Sequence, residues 1–428
     1  MSFDSAFQYW QVRTGEWSSL HPVIMQLHWW LTDHVISGPG GLFMFYVVVF
    51  FLATYIIAIH SRLKLWAQIT LILVMGFLPY NLMVMPHVWK DVGMLVYTLL
   101  GVALLIRFLD TKALSSLFFA AGCLWLAVLF RVNALLILFP LLVYVCFLLA
   151  RRFENKRLVL ILLPVYLLII FLSHVGLKKI SDTHQEILWP SLALWDIASV
   201  SQRIDAVLLP EFTTGPGGDW LNEIKEHNKS WSNTPVLHNS GEYGIWHGLG
   251  TSFSAEQYEE LAQVWLSLLW KYPLAYADHR VDVMFALMGL TSKQGYPFEL
   301  MFVDREVQYK DNPVFQPSQN MLAVGWFEFL KQNMNFWFVN GWFYGILFIA
   351  AVIGYRRRYQ PPADQKYKSM MGVLLVTAVL GVLSLVVTVP AAESRYLIVF
   401  VNFTMLSLLL MYLPRDIKKQ ESSRQIMQ

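Results

Sequence analysis

Residues 158–177 read LVLILLPVYLLIIFLSHVGL, a run without an aspartate, glutamate, lysine or arginine. About 20 apolar residues are what an α-helix needs to cross the hydrocarbon core of a bilayer. The run therefore predicts a transmembrane helix. Basic residues flank it on both sides: Arg151, Arg152, Lys156, Arg157, Lys178 and Lys179.

The rest of the chain has the same character. Of its 428 residues 56% are hydrophobic and 14% charged, and the mean hydropathy is +0.48. Soluble domains carry about 25% charged residues. We therefore predict an all-α polytopic membrane protein with about nine transmembrane helices. The predicted spans are 41–59, 66–85, 92–109, 113–130, 133–150, 158–177, 336–354, 370–390 and 396–413.

Basic residues concentrate in every second connection between these spans, and Lys/Arg-rich connections remain in the cytoplasm. The N-terminus and residues 178–335 are therefore predicted to be extracytoplasmic and the C-terminus cytoplasmic. The polar N-terminal stretch has no span before it, so either a short tail is translocated unaided or a further membrane helix precedes Met1, and of these two we expect the second. The basic residues are Arg62, Lys64, Arg107, Lys112, Arg151, Arg152, Lys156, Arg157, Arg356, Arg357, Arg358, Lys366, Lys368, Arg415, Lys418, Lys419 and Arg424.

These predictions divide the chain into four parts. Residues 1–177 carry an extracytoplasmic catalytic loop and six spans, and 178–335 form a small, mostly helical extracytoplasmic domain. Residues 336–414 hold three spans, and 415–428 are a cytoplasmic tail. Within the extracytoplasmic domain, amphipathic patterns predict helices around 255–272, 275–290 and 320–335.

Several classes of function find no support in the sequence. It contains no phosphate-binding Walker loop, no dinucleotide fingerprint, no Gly-x-Ser-x-Gly elbow and no His-Glu-x-x-His zinc motif. Cys123 and Cys146 lie in apolar runs without metal-ligand spacing, and no basic face for nucleic acid is present. No cofactor is indicated other than an optional divalent cation.

The first thirty residues carry the polar groups of greatest interest. Asp4 and Gln8 lie one helical turn apart, and His21 precedes an aromatic stretch. A carboxylate just above the bilayer could take the proton of an acceptor hydroxyl as general base. It could also bind a cation, and a solvated residue in a frayed tail is the plain alternative.

Two outer connections add ionisable groups near the membrane surface. Lys90 and Asp91 lie in a short loop, where the lysine could pair with a lipid phosphate or simply extend to the interface. Arg131 occupies a short hinge between two apolar runs. Ionisable groups at membrane depth are costly, so Arg131 favours a functional role.

The last outer connection contains Glu393, Arg395 and Tyr396. Glu393 and Arg395 could neutralise each other, or Arg395 could hold a phosphate or sugar together with Tyr396. A further polar group, the segment 276–280 with His279 and Arg280, is interpreted as structural packing.

Taken together, these motifs resemble the bacterial GT-C superfamily of membrane glycosyltransferases, in particular its protein-mannosyltransferase and aminoarabinose-transferase-like members (family 39 or Rgt-like). The resemblance rests on Asp4-x3-Gln8, Gly15, His21-Pro22, Lys90-Asp91, Arg131-x-Asn133 and Glu393-x-Arg395-Tyr396. It implies a GT-C-like fold in the bacterial inner membrane. It also implies transfer of a sugar from polyprenyl phosphate to a glycan, lipid or protein acceptor at the outer face.

The same resemblance implies residue roles. Asp4 would be the catalytic carboxylate, Lys90, Arg131 and Arg395 would meet the donor phosphate, and His21 would line the site. Gln8, Asp91, Glu393 and Tyr396 complete the predicted substrate-binding set.

Two other functions remain open. An O-antigen-type polymerase or ligase also uses lipid-linked sugars in outer loops, with arginines dominating its site. A transporter or flippase would carry charged or broken helices near the bilayer midplane and paired repeats. Charges at the outer rim and the lack of a repeat weigh against transport.

Overall fold

The computed structural model describes residues 2–18, 21–131, 133–180, 187–214, 218–238, 253–291, 306–317, 319–332, 336–358 and 365–414. Within these ranges the chain forms eighteen α-helices and no β-strand, so the predicted all-α class is confirmed. The predicted tail 415–428 lies outside the described residues. The chain divides into two compact units: Met1–Thr183, Tyr296–Ser384 and Arg395–Gln428 form the first, and His184–Gly295 and Leu385–Ser394 the second.

The helices are numbered in chain order. They are α1 (Phe3–Thr14), α2 (Val23–Asp33), α3 (Pro39–His60), α4 (Leu65–Gly76), α5 (Pro79–Val84), α6 (Lys90–Thr111), α7 (Leu114–Phe130), α8 (Ala134–Arg152), α9 (Leu158–Ile180), α10 (Trp189–Ile204), α11 (Trp220–His227), α12 (Thr234–His238), α13 (Ala255–Lys271), α14 (Pro273–Met288), α15 (Met321–Gln332), α16 (Gly341–Arg358), α17 (Gln365–Thr388) and α18 (Ile398–Tyr412).

Six of the helices in the described residues are long and apolar enough to cross a membrane. They are α3, α6, α8, α9, α17, and α18 with the turn before it, and they coincide with six of the nine predicted spans. The other three predicted spans are also helical, but α4 and α7 are shorter and α16 is not among the six. The amphipathic patterns of the predicted extracytoplasmic domain correspond to α13, α14 and α15.

The predicted span 66–85 is not one helix but two, because of Pro79. A proline lacks the backbone N–H of a helix interior and disfavours helical geometry in the residue before it. Leu78 accordingly has φ −56° and ψ 124°, and Pro79 begins α5. The interruption leaves helical carbonyls without their usual partners.

A buried pair of amides fills this interruption. The Asn81 amide nitrogen donates to the Met75 carbonyl at 2.9 Å. Asn81 and Asn402 also donate to each other's side-chain oxygens at 2.9 and 2.8 Å, and both are fully buried. Backbone groups in an apolar environment need such partners. The pair therefore stabilises the break and joins α5 to α18.

Helix α6 forms the centre of the first unit. It packs against α3 and α7 and is enclosed along nearly its entire length, whereas α9 buries almost none of its apolar side chains. Near the start of α6, a Cβ on Gly93 would lie 2.2 Å from the Phe130 ring. Glycine is therefore needed where the end of α7 approaches α6, beside Lys90 and Asp91.

The second unit is organised around α10, which packs against α11, α13 and α14. Asp196 lies on the buried face of α10 and accepts hydrogen bonds from Trp265 (2.8 Å), His279 (3.0 Å) and Arg280 (2.6 Å). Arg280 also donates to the Val389 carbonyl at 3.1 Å. One buried carboxylate thus joins three helices and the segment 385–394.

Candidate functional site

Helix α1 holds Asp4 in an ordered first turn, so the alternative of a frayed tail is wrong. The Ser2 hydroxyl accepts from the Ser5 backbone N–H at 3.1 Å and caps the helix. The same hydroxyl accepts from the Trp89 indole at 2.8 Å, and the Ser5 hydroxyl donates to the Val88 carbonyl at 3.0 Å. These bonds fix the start of α1 against the loop that precedes α6.

Asp4 forms an ion pair with Arg395, a residue far away in sequence. The Arg395 guanidinium donates to the Asp4 carboxylate at 3.2 Å, with the aspartate side chain 40% exposed and the arginine 10% exposed. The guanidinium also lies 4.8 Å from the centre of the buried Trp89 ring. Arg395 belongs to the 3-10 turn Ser394–Leu397, which leads directly into α18.

The charges around Asp4 keep it ionised. Burial acts to raise the pKa of the Asp4 carboxyl, but the positive charge of Arg395, together with that of Lys90, outweighs this effect and lowers the pKa below its ordinary value. Asp4 is therefore an anion throughout the neutral pH range.

A second ion pair lies beside the first. Arg131, directly after α7, donates to the Asp91 carboxylate in the first turn of α6, and its Nε donates to Asn133 at 2.9 Å. The ring of Tyr396 lies between the two arginines, 5.1 Å from the Arg131 guanidinium and 5.3 Å from that of Arg395. This ring connects the two ion pairs through cation–π contacts.

Lys90 adds a third positive charge, at the first residue of α6. Its charged neighbours are Arg131, Asp91, Arg395 and Asp4. The ammonium group makes no hydrogen bond or ion pair with any residue in the described part of the chain. We refer to Asp4, His21, Lys90, Asp91, Arg131, Arg395 and Tyr396 as the polar cluster.

His21 enters the polar cluster from the connection between α1 and α2. Its Nδ1 lies 3.0 Å from the Gln11 side-chain oxygen. Burial, followed by the nearby positive charge of Lys90, lowers the pKa of His21 to about 3, although Asp4 opposes the shift. The imidazole is therefore neutral at physiological pH.

No protein-family model, curated protein or solved structure matches the chain. The chemistry of the polar cluster itself therefore carries the functional interpretation.

Seven of the nine predicted site residues belong to this cluster, and the other two are Gln8 and Glu393. Gln8 is buried on α1 one turn after Asp4, and its side-chain oxygen has no hydrogen-bond partner among the described residues. Glu393 belongs to the second unit, where its backbone N–H donates to the Ala391 carbonyl at 3.0 Å. Arg395, the other residue considered as a partner of Glu393, pairs with Asp4 at 3.2 Å.

Sequence reasoning missed three parts of the site. Trp89, on which Arg395 stacks, and Gln26, which contacts Gln11, were not singled out. Residue type alone does not reveal that this tryptophan and this glutamine are buried among polar groups. In addition, segment 306–317 packs on α1, because Asn312 donates to the Ala6 carbonyl at 2.6 Å and Lys310 lies 3.5 Å from the centre of the Trp10 ring.

Within the described ranges, no three His, Cys, Asp or Glu side chains are grouped so that they could hold a metal ion.

Proposed function

We propose that the protein is a membrane glycosyltransferase that moves a sugar from a polyprenyl-phosphate donor to a hydroxyl of a glycan, lipid or protein acceptor. The observation that carries this proposal is the ion pair between Asp4 and Arg395, with Lys90 and Arg131 beside it. An anionic carboxylate suits an acceptor hydroxyl, and a group of cations suits a phosphate leaving group.

The charge balance of the polar cluster supports an anionic ligand. Lys90, Arg131 and Arg395 supply three positive charges, whereas Asp4 and Asp91 supply two negative ones. With His21 neutral, the seven residues of the polar cluster carry a net charge of +1. Arginine binds phosphate with a planar set of donors, and lysine binds it as a point charge.

The expected reaction is a single displacement. The acceptor oxygen forms a bond to the anomeric carbon, while the bond from that carbon to the phosphate oxygen breaks. The electron pair leaves with the polyprenyl phosphate, and the cations of the cluster stabilise the charge that develops there. The acceptor proton passes to a base in the site, and the expected product has an inverted anomeric centre.

This proposal places the cluster at the outer face of a bacterial inner membrane. Apolar exposure on α9 and the six long apolar helices support a membrane location. The charged groups lie at helix ends: Lys90 and Asp91 begin α6, Arg131 follows α7, and Arg395 precedes α18. Helix ends are where a bilayer tolerates charges.

Reporter fusions test the orientation. A fusion after residue 230 is expected to be extracytoplasmic and one after residue 360 cytoplasmic, because basic connections remain inside. Alkaline phosphatase and a fluorescent protein, active on opposite sides of the membrane, provide the measurement. The opposite pattern would put the polar cluster on the cytoplasmic face and contradict transfer at the outer face.

Turnover with lipid-linked sugars tests the activity itself. Purified protein in lipid nanodiscs is incubated with a panel of polyprenyl-phosphate sugars and candidate acceptors, and released polyprenyl phosphate is measured by mass spectrometry. We expect release that requires Asp4, with Glu16→Gln, at an exposed carboxylate that follows the end of α1, as the unaffected control. Absence of release with every donor would refute the proposal.

An O-antigen-type polymerase or ligase is the second candidate, favoured by the two arginines around Tyr396. If Asp4→Ala leaves turnover intact while Arg131→Ala and Arg395→Ala abolish it, this second function replaces the first. The broken helix at Pro79 is a feature of transporters. However, the buried Asn81–Asn402 pair fills the break, so it offers no support for a substrate path.

A further inference from the structure

Gln11 organises the surroundings of His21. Its side-chain oxygen lies 3.0 Å from His21 Nδ1 and accepts from the Gln26 amide nitrogen at 3.2 Å. Its own amide nitrogen donates to the Ser18 hydroxyl at 2.7 Å. All four side chains are buried, in a chain of hydrogen bonds from α1 to α2.

The orientation of the Gln11 and Gln26 side-chain amides decides the direction of these bonds. The correct orientation is the one that leaves the fewest buried N–H groups without an acceptor. In the observed orientation, the Gln26 side-chain oxygen is the single amide atom of Gln11 and Gln26 without a described partner. Turning both amides over would instead leave the two N–H groups of Gln26 without acceptors. Buried N–H groups without a partner are rarer than unpaired carbonyls, so the Gln11 oxygen faces His21.

An oxygen has no hydrogen to donate, so His21 Nδ1 must carry the proton and donate it to Gln11. In a neutral imidazole the other nitrogen, Nε2, is then an unprotonated acceptor. This nitrogen makes no hydrogen bond with a described residue. It lies within electrostatic reach of Asp4 on α1, Lys90 on α6 and Arg395 before α18.

Asp4 is less suited to the same task, because its carboxylate is bound by the Arg395 guanidinium. Asp4 can still orient an acceptor hydroxyl through its remaining lone pairs.

We infer that His21 Nε2 is the base that removes the acceptor proton, with Gln11 and Gln26 as positioning residues that fix the imidazole tautomer. This inference rests on the proposed glycosyl transfer. The acceptor O–H bond breaks as its oxygen attacks the anomeric carbon, and the proton moves to Nε2. The imidazolium then returns the proton to water after polyprenyl phosphate has left.

Substitution of His21 tests the step. His21→Ala and His21→Gln are expected to lower kcat about 10²-fold. This effect is at the low end of the range for general bases, because the low pKa of His21 makes its imidazole a weak base. The KM for the lipid-linked donor is expected to change little. His34→Gln, at an exposed histidine at the end of α2, is the matched control and is expected to behave as wild type.

Substitution of Gln11 separates a catalytic from a structural role. Gln11→Leu removes the acceptor for Nδ1–H and is expected to lower kcat, whereas Gln11→Glu retains an oxygen in the same place. A carboxylate beside the imidazole stabilises its protonated form, so the acid limb of kcat/KM is expected to move upward by about 1–3 pH units. Thermal unfolding of every variant shows whether it is folded.

Nitrogen-15 spectra of histidine-labelled protein give a readout that does not depend on turnover. At neutral pH the His21 resonances should show a protonated Nδ1 and an unprotonated Nε2, and in Gln11→Glu the titration of His21 should coincide with the acid limb. A protonated Nε2, or wild-type kcat in folded His21→Gln, overturns the inference while wild-type turnover upholds the proposed function. If the wild type itself releases no polyprenyl phosphate, the proposed function fails and this inference fails with it.

Discussion

Arg395→Met is expected to lower kcat about 10³-fold, because it removes two contributions at once. Loss of one preorganised donor to a developing anion costs about 10²–10³-fold. In addition, Asp4 loses the side chain that holds it at 3.2 Å. Initial rates of polyprenyl phosphate release, at saturating donor, measure the effect.

The pH dependence of this variant has a defined sign. In the wild type, Arg395 overcomes the effect of burial and lowers the pKa of Asp4. Without the guanidinium, burial is less opposed and the pKa of Asp4 rises. Activity that requires the ionised Asp4 carboxylate is then lost at a higher pH than in the wild type. The acid limb of the pH–activity profile therefore moves to higher pH.

Arg13→Met is the matched control for Arg395→Met. Arg13 lies on α1, as Asp4 does, and pairs with Asp311 at 3.6 Å, but the Asp311 side chain is 65% exposed. Such surface pairs contribute about 0–1 kcal/mol. Equal rates for the two variants would contradict a special role for Arg395.

Asp196→Leu is expected to destabilise the full-length protein by about 3–5 kcal/mol, because it leaves a buried cation without its partner. Arg280 is 3% exposed and donates to Asp196 at 2.6 Å. The substitution also removes the acceptor of Trp265 and His279, both bound to the same carboxylate. Chemical unfolding of the intact chain in detergent, followed by tryptophan fluorescence, measures the change.

Asp278→Leu provides the control from the neighbouring helix. Asp278 pairs with Arg203 at 3.1 Å, but its side chain is 68% exposed, so a change of about 0–1 kcal/mol is expected. If Asp196→Leu were as stable as this control, the buried network would not be what stabilises the second unit.

The sequence predicted the elements of the fold better than their interruptions. Long apolar runs dictate helices because the backbone can then satisfy its own hydrogen bonds, and six such helices are present in the described residues. The break at Pro79 was missed because apolar character continues through it. Its stabilising partner, Asn402, is 321 residues away from Asn81.

The candidate site shows the same limit. Charged residues next to apolar runs are costly and therefore indicate a functional site. This reasoning drew attention to Asp4, Lys90, Arg131 and Arg395. Their pairing was not predictable, since the Asp4–Arg395 contact spans 391 residues. In the second unit, His279 and Arg280 were noticed but Asp196 was not, as a single aspartate on a helix carries no pattern.

If α7 crosses the bilayer as the sequence predicts, its short length brings the site close to the surrounding lipids. At 1.5 Å per residue, its 17 residues extend about 26 Å, less than the hydrocarbon core of about 30 Å. A bilayer adapts to such a mismatch by thinning locally, at a cost of fractions of a kcal/mol per Å. Since Arg131 follows the last residue of α7, a thinned patch there would bring a lipid-borne phosphate down to the arginine. Membrane thickness would then help to set how readily the carrier lipid docks.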